Sequence, residues 1–201
     1  SMTIKKILQV VLGLTMAGTG VFITLHSYLG VAPWDVLHVG MSKKFGIEPG
    51  TAMYLTGFIL LIASLLLGVR PGLGTLFDIL IVGTTVNIWI WINPLRFLSS
   101  ESPLVLRIIM FIIGMAITGF GIATYVGAHL GAGPRDGMML ALHRKFGFNI
   151  FKSRLILEFV GLSTGLLFHG PVGLGTLLWS IGIGYFVSLG FKTLKLSPQP
   201  T

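Results

Sequence analysis

Six apolar runs constrain this chain more than any other feature: residues 7–25, 49–69, 79–95, 108–134, 155–168 and 170–191. None carries a lysine, arginine or acid except the fifth, which holds Glu158. Crossing a hydrocarbon layer of about 30 Å takes about 20 apolar residues in a helix, and most of the runs meet that requirement. A backbone in lipid must satisfy its own hydrogen bonds, so such runs read as helices. The expected fold is therefore an all-α polytopic membrane protein, with residues 1–201 forming one membrane domain. Composition agrees, at 53% hydrophobic and 10% charged residues, with a mean hydropathy of +0.91. The first run follows Lys5 and Lys6 as a signal peptide would, but no small-residue cleavage site ends it and further spans follow. It reads as the first membrane helix. Ser1 ahead of Met2 reads as a cloning remnant.

Fourteen Lys and Arg against six Asp and Glu leave a formal charge of +8. In a soluble domain that excess would point to nucleic acid. Here the basic residues cluster at the ends of spans, where they hold loops on the cytoplasmic side. Nucleic acid is therefore not an expected partner, whereas membrane lipid is. The chain has no cysteine, which excludes disulfides, thiolate metal sites and cysteine nucleophiles. Its five histidines, His26, His38, His129, His143 and His169, lack metal-ligand spacing. No metal or other cofactor is expected. No serine–histidine constellation is set for hydrolysis and no soluble domain is large enough for a nucleotide, so an enzyme is not expected.

Sliding the sequence against itself by 101 positions aligns Gly13 through about Ile92 with Gly114 through about Thr193, without a gap. The phrase "LGVAPWD" beginning at Leu29 returns as "LGAGPRD" at Leu130, and "GLGTL" occurs at Gly72 and again at Gly173. Two internal repeats follow, at about 4–95 and 105–195. Each reads as three long helices plus one short helix, which Pro33 or Pro134 opens and Gly46 or Gly147 closes. About 13 residues at 1.5 Å each span about 20 Å, which suits a re-entrant element better than a full crossing. With non-crossing short helices the repeats are inverted and there are six spans, the reading preferred here. If the short helices cross, the repeats are parallel with eight crossings, and the equivalent pairs Lys43/Lys44 and Arg144/Lys145 share a side.

Asp35 and Asp136 fall in the first turns of the short helices. An acid there can simply complement the helix dipole, yet an ionisable group at membrane depth costs about 2.5–3.5 kcal/mol on insertion scales and tends to be functional. The neighbours differ: Trp34 in one copy stands where Arg135 does in the other, and His38 lies three residues after Asp35. A site built from both would have an aromatic wall and a guanidinium. Glu158, an acid inside a span, is read as facing the interior near Arg154 or Arg135, in an ion pair or in proton coupling. The turns Gly74–Thr75 and Gly175–Thr176 start two long helices; Thr75 and Thr176 read as N-caps, and Thr75 with Asp78 as a capping box. Gly127-x-x-x-Gly131 and Gly161-x-x-x-Gly165 read as close-packing motifs.

The pattern from Gly121 to Asp136, a short helix ending "RKFG" and a span holding Glu158 resembles the bacterial YczE/YyaS/YitT family of integral membrane proteins. The resemblance covers nearly the whole chain and implies the bacterial cytoplasmic membrane, but brings no substrate. The residues lead to a small secondary transporter or facilitator of a small polar or charged solute, N-terminus cytoplasmic. Its site would lie between the repeats, with Asp35, Asp136, Trp34, Arg135, His38 and Glu158 binding solute or coupling protons. The alternative is a non-transporting membrane partner, or the substrate-capturing subunit of a larger transport complex; a homodimer or a partner membrane protein fits either.

Overall fold

The computed structural model describes residues 3–198. They form eight helices: α1 (Ile4–Leu25), α2 (Pro33–Phe45), α3 (Pro49–Leu66), α4 (Leu73–Ile92), α5 (Leu104–Val126), α6 (Pro134–Phe146), α7 (Ile150–Leu167) and α8 (Leu174–Leu194). Ser1 and Met2 lie outside the described residues. The short elements have the expected form. Each is 13 residues long, starts on its proline, and ends on a left-handed glycine, Gly46 at φ 64° and Gly147 at φ 70°.

Close backbone approach sets how the long helices cross. Gly13 of α1 lies against Gly121 of α5, and Gly20 against Gly114; a Cβ on Gly114 would sit 2.7 Å from the Gly20 carbonyl oxygen. Position numbers rise along one helix as they fall along the other, so α1 and α5 are antiparallel. Trp89 Nε1 donates to Thr19 Oγ1 at 2.9 Å, and Val10 packs near Phe77, which makes α4 parallel to α1. Gly119 on Phe186 and Gly190 on Ala123 make α8 parallel to α5 in the same way. In α3, Gly50 meets Asn87 and Gly57 meets Ile79, so α3 runs antiparallel to α4. The short helix α2 lies along α7, with Trp34 on Gly161 and Gly40 on Phe168. Lys44 sits over Phe168, at the end of α7, whereas Arg144 and Lys145 close α6 just before α7 begins. The two basic pairs thus mark opposite ends of one helix.

Five of the six long helices are long and apolar enough to cross a membrane. The sixth, α7, carries Lys152, Arg154 and Glu158, and the last two face an internal cavity instead of the outer surface. Outside, the bundle is apolar: Leu8, Leu12, Ile59, Ile62, Phe159 and Ile181 are all exposed. Such a surface is suited to lipid.

Two expectations about glycine and threonine change. Gly127 caps the end of α5, and Gly131 lies in the following loop at φ +123°, so that pair is not a helix-packing motif; the chain has already turned. The second motif does pack, Gly161 and Gly165 facing Trp34 and Leu37 of α2. Thr75 and Thr176 are not N-caps. Gly72 and Gly173 hold those places, and the threonines sit three residues later, accepting from the backbone N–H of each glycine. Asp78 takes no part in a cap.

Candidate functional site

The threonine hydroxyls instead reach across the molecule. Thr75 Oγ1 donates to Ala132 O at 2.5 Å and Thr176 Oγ1 to Val31 O at 2.7 Å. Gly74 N donates to Leu130 O at 2.8 Å, and Gly175 N to Leu29 O at 2.6 Å. Each partner is 101 residues from its counterpart, so the two bond sets are reciprocal. The start of α4 holds the loop leading into α6, and the start of α8 holds the loop leading into α2. Gly30 at φ +83° and Gly131 at φ +123° let these loops turn, and a side chain on Gly131 would meet the Gly72 backbone. Consequently the first turns of α2 and α6 are presented to the centre of the molecule.

At that centre lies a cavity of about 550 Å³. Of the expected site residues, Trp34, Asp35, His38, Pro134, Arg135, Asp136 and Glu158 line it. Pro33, Gly74, Thr75, Gly175 and Thr176 do not; they shape the loops that bring the lining there. The cavity extends to Phe191 and Pro198, at the end of the molecule where α1 begins. It is asymmetric. Whereas α3 packs along α4, α7 scarcely touches α8. Gly83 of α4 is pressed against Gly50 and Tyr54, while nothing lies within 4 Å of a Cβ on Gly184, 101 residues on in α8. Asn87 Oδ1 accepts from Gly50 N at 2.8 Å and Asn87 Nδ2 donates to Thr51 Oγ1 at 3.3 Å, closing α3 onto α4. Its counterpart Ser188 lines the cavity.

Asp35 is buried and its Oδ1 lies 2.8 Å from His38 Nδ1; His38 Nε2 lies 2.7 Å from Thr56 Oγ1. Thr56 can also donate to Ala52 O at 3.2 Å. Neutral His38 gives Nδ1–H to Asp35 and accepts the Thr56 hydroxyl at Nε2. Protonated His38 donates at both nitrogens while Thr56 donates to Ala52 O. Both patterns fit the same heavy-atom positions.

Arg135 and Asp136 are exposed, and both line the cavity. Arg135 interacts electrostatically with Asp35, Asp78, Asp136 and Glu158, and Arg154 with Asp136. Among the described residues the ion pair within 4 Å is His38–Asp35; the expected Glu158–Arg154 contact is therefore looser than a salt bridge. Trp34 is buried with its Nε1 unpartnered. No group of three His, Asp or Glu side chains among the described residues converges as a metal site. Lining residues that the sequence reading does not single out as functional include Thr56, Asp78, Tyr125 and Trp179. Tyr125 faces Asp78, and both touch Gly133 at the start of α6. A signal existed for Asp78, since it lies one turn inside a helix that begins at the glycine turn.

A model described as a family of unknown function, DUF6198, matches residues 4–192. The chain belongs to the DUF6198 family. Among relatives of this DUF6198 chain, an uncharacterized protein of Haemophilus influenzae is 34% identical over 195 residues, covering 97% of this chain and 87% of its own. The uncharacterized membrane protein YczE of Bacillus subtilis is 32% identical over 174 residues, covering 86% and 79%. YyaS of Bacillus subtilis is 32% identical over 169 residues, covering 83% of each chain. Membership of the bacterial family resembled in sequence is thereby shown. No solved structure matches the chain significantly. A membrane relative together with five apolar helices makes this DUF6198 member a multi-pass membrane protein.

Proposed function

We propose that this chain is a small secondary transporter, not an enzyme, that moves a small polar or charged solute across the bacterial cytoplasmic membrane. The N-terminus lies in the cytoplasm. Residues 4–95 and 105–195 form two inverted repeats, and the solute site is the cavity between them. One observation carries this reading: the reciprocal loops deliver the first turns of α2 and α6, with Asp35, Trp34, Arg135 and Asp136, to one central cavity that is open on one side. Antiparallel packing of α1 on α5 supports inversion, because these helices are equivalent in the repeats. The basic end residues Lys5, Lys6, Arg144, Lys145, Lys192 and Lys195 support a cytoplasmic N-terminus.

Inverted repeats supply alternating access by exchanging the conformations of the two halves around a fixed site. Here the α3–α4 side is closed and the α7–α8 side open. In the opposite state α7 closes on α8 and α3 leaves α4. Asp35, His38 and Thr56 hold or pass the coupling proton, while Asp136, Arg135 and Trp34 contact solute.

Uptake into proteoliposomes tests the reading, using amino acids, organic acids, organic cations and vitamins as candidate solutes. At least one accumulates, and Asp35→Asn and Asp136→Asn each lower its uptake about tenfold or more, an effect of about 1.4 kcal/mol. Unaffected transport in either variant contradicts the central role of the aspartates. Absence of all flux, with a stoichiometric protein copurifying in mild detergent, favours a non-transporting subunit instead.

A further inference from the structure

The cavity has a charge of its own, opposite to that of the protein. Asp35, Asp78, Asp136 and Glu158 line it, four of the six acidic residues in a chain whose formal charge is +8. Only Arg135 and Arg154 oppose them with fixed positive charge. Carboxylates therefore outnumber guanidiniums two to one in the space where a solute would sit. Arg135 lies in the field of all four acids and pairs with none within 4 Å, so its charge is shared among them. An anion approaching Arg135 would meet the carboxylates around it. A cation relieves the excess, and an unneutralised carboxylate at membrane depth is costly.

The shape of the lining narrows the cation. No three ligating side chains converge among the described residues, so the acids are too dispersed to strip and hold a bare metal ion together. The same lining carries Trp34, Tyr125, Trp179 and Phe191. Aromatic faces attract cations, tryptophan most strongly, and they cover apolar substituents equally well. A volume of about 550 Å³ is in the range of small-molecule sites. Replacements at positions 101 residues apart create this character: Asp78 has Trp179 as its counterpart, Arg135 has Trp34 and Glu158 has Gly57.

We infer that the transported solute is a monovalent organic cation with an apolar body, an amine, guanidine or quaternary ammonium, seated among the four carboxylates and the aromatic wall. Arg135 is then a built-in competitor for the acids, not the ligand of an anionic group. This rests on the transport reading above and fixes its substrate class.

The test uses the full-length protein. Ethidium binding to detergent-solubilised chain is followed by fluorescence, with tetraethylammonium, glutamate and fluorescein as competitors, and the same probes are followed in proteoliposomes. Ethidium binds and is displaced by tetraethylammonium but not by the anions. Asp78→Asn weakens its affinity about tenfold, the scale of one charge-assisted contact, and Arg135→Gln tightens it. Preferential binding of an anion, weakening by Arg135→Gln, or no cation binding to monodisperse protein overturns the inference. If either variant fails to fold, competition on the unmodified chain decides alone. Flux of a neutral or anionic solute in the same vesicles would leave transport standing while removing the cation; absence of all flux would remove both.

Discussion

Each aspartate of the duplicated phrase has a different partner. Asp35 is tied through His38 to Thr56, whereas Asp136 faces two guanidiniums. The surroundings of the pair are therefore divided: a hydrogen-bonded chain from α2 to α3 and an ion-rich wall on α6. Replacing Thr56 with valine removes the hydroxyl that touches His38 Nε2. Solute binding should survive Thr56→Val, while proton-driven accumulation falls severalfold; equal accumulation at every imposed pH gradient would contradict the relay. Thr75 and Thr176 act structurally. Losing one hydroxyl bond costs about 1 kcal/mol, so Thr75→Val and Thr176→Val should each lower the melting temperature by about 2–4 °C, measurable by thermal denaturation in detergent. Asp35 and Asp136 were legible in the sequence because the phrase occurs twice. Asp78 was not, because its counterpart is Trp179 and an acid beside a glycine turn fits a cap equally well.

Proline and glycine made the short helices readable to the residue, since each fixes a backbone angle that marks a start or a stop. Their direction was not readable. Charge at Lys43/Lys44 and Arg144/Lys145 favoured one side for both pairs, and helix length favoured opposite sides; only packing against α7 locates them. The glycines that join α1 to α5 were visible as matches between the halves, but not as mutual contacts. Gly114→Val should destabilise strongly, by about 2 kcal/mol or more, because a Cβ there meets the Gly20 carbonyl and overpacking of this kind costs about 1–3 kcal/mol. Gly83 and Gly184 give a sharper contrast. A side chain at Gly83 would strike Gly50 and Tyr54, while one at Gly184 has open space. Gly184→Leu is therefore expected to leave the melting temperature within a few degrees and yet abolish uptake, since in the proposed alternating-access cycle α7 closes over that position. Normal uptake by a folded Gly184→Leu protein would contradict the closure.

For the whole molecule, the all-helical membrane fold followed from the apolar runs, and family membership from the motifs around Gly121–Asp136. The cavity did not, because it arises from an inequality between two helix pairs: α3 meets α4, α7 stands off from α8. Matching residues 101 positions apart are silent on which conformation each segment adopts. Transport by alternating access requires that this inequality be reversible. The chain contains no cysteine, so a Thr51→Cys/Asn87→Cys pair can be introduced without background thiols, at two positions already in hydrogen-bond contact. Bridging them with a short, reducible thiol cross-linker pins α3 to α4. Proteoliposome uptake by that protein is the most direct measurement of the account: it should stop on cross-linking and return when the bridge is reduced. Undiminished uptake with the bridge intact would contradict it.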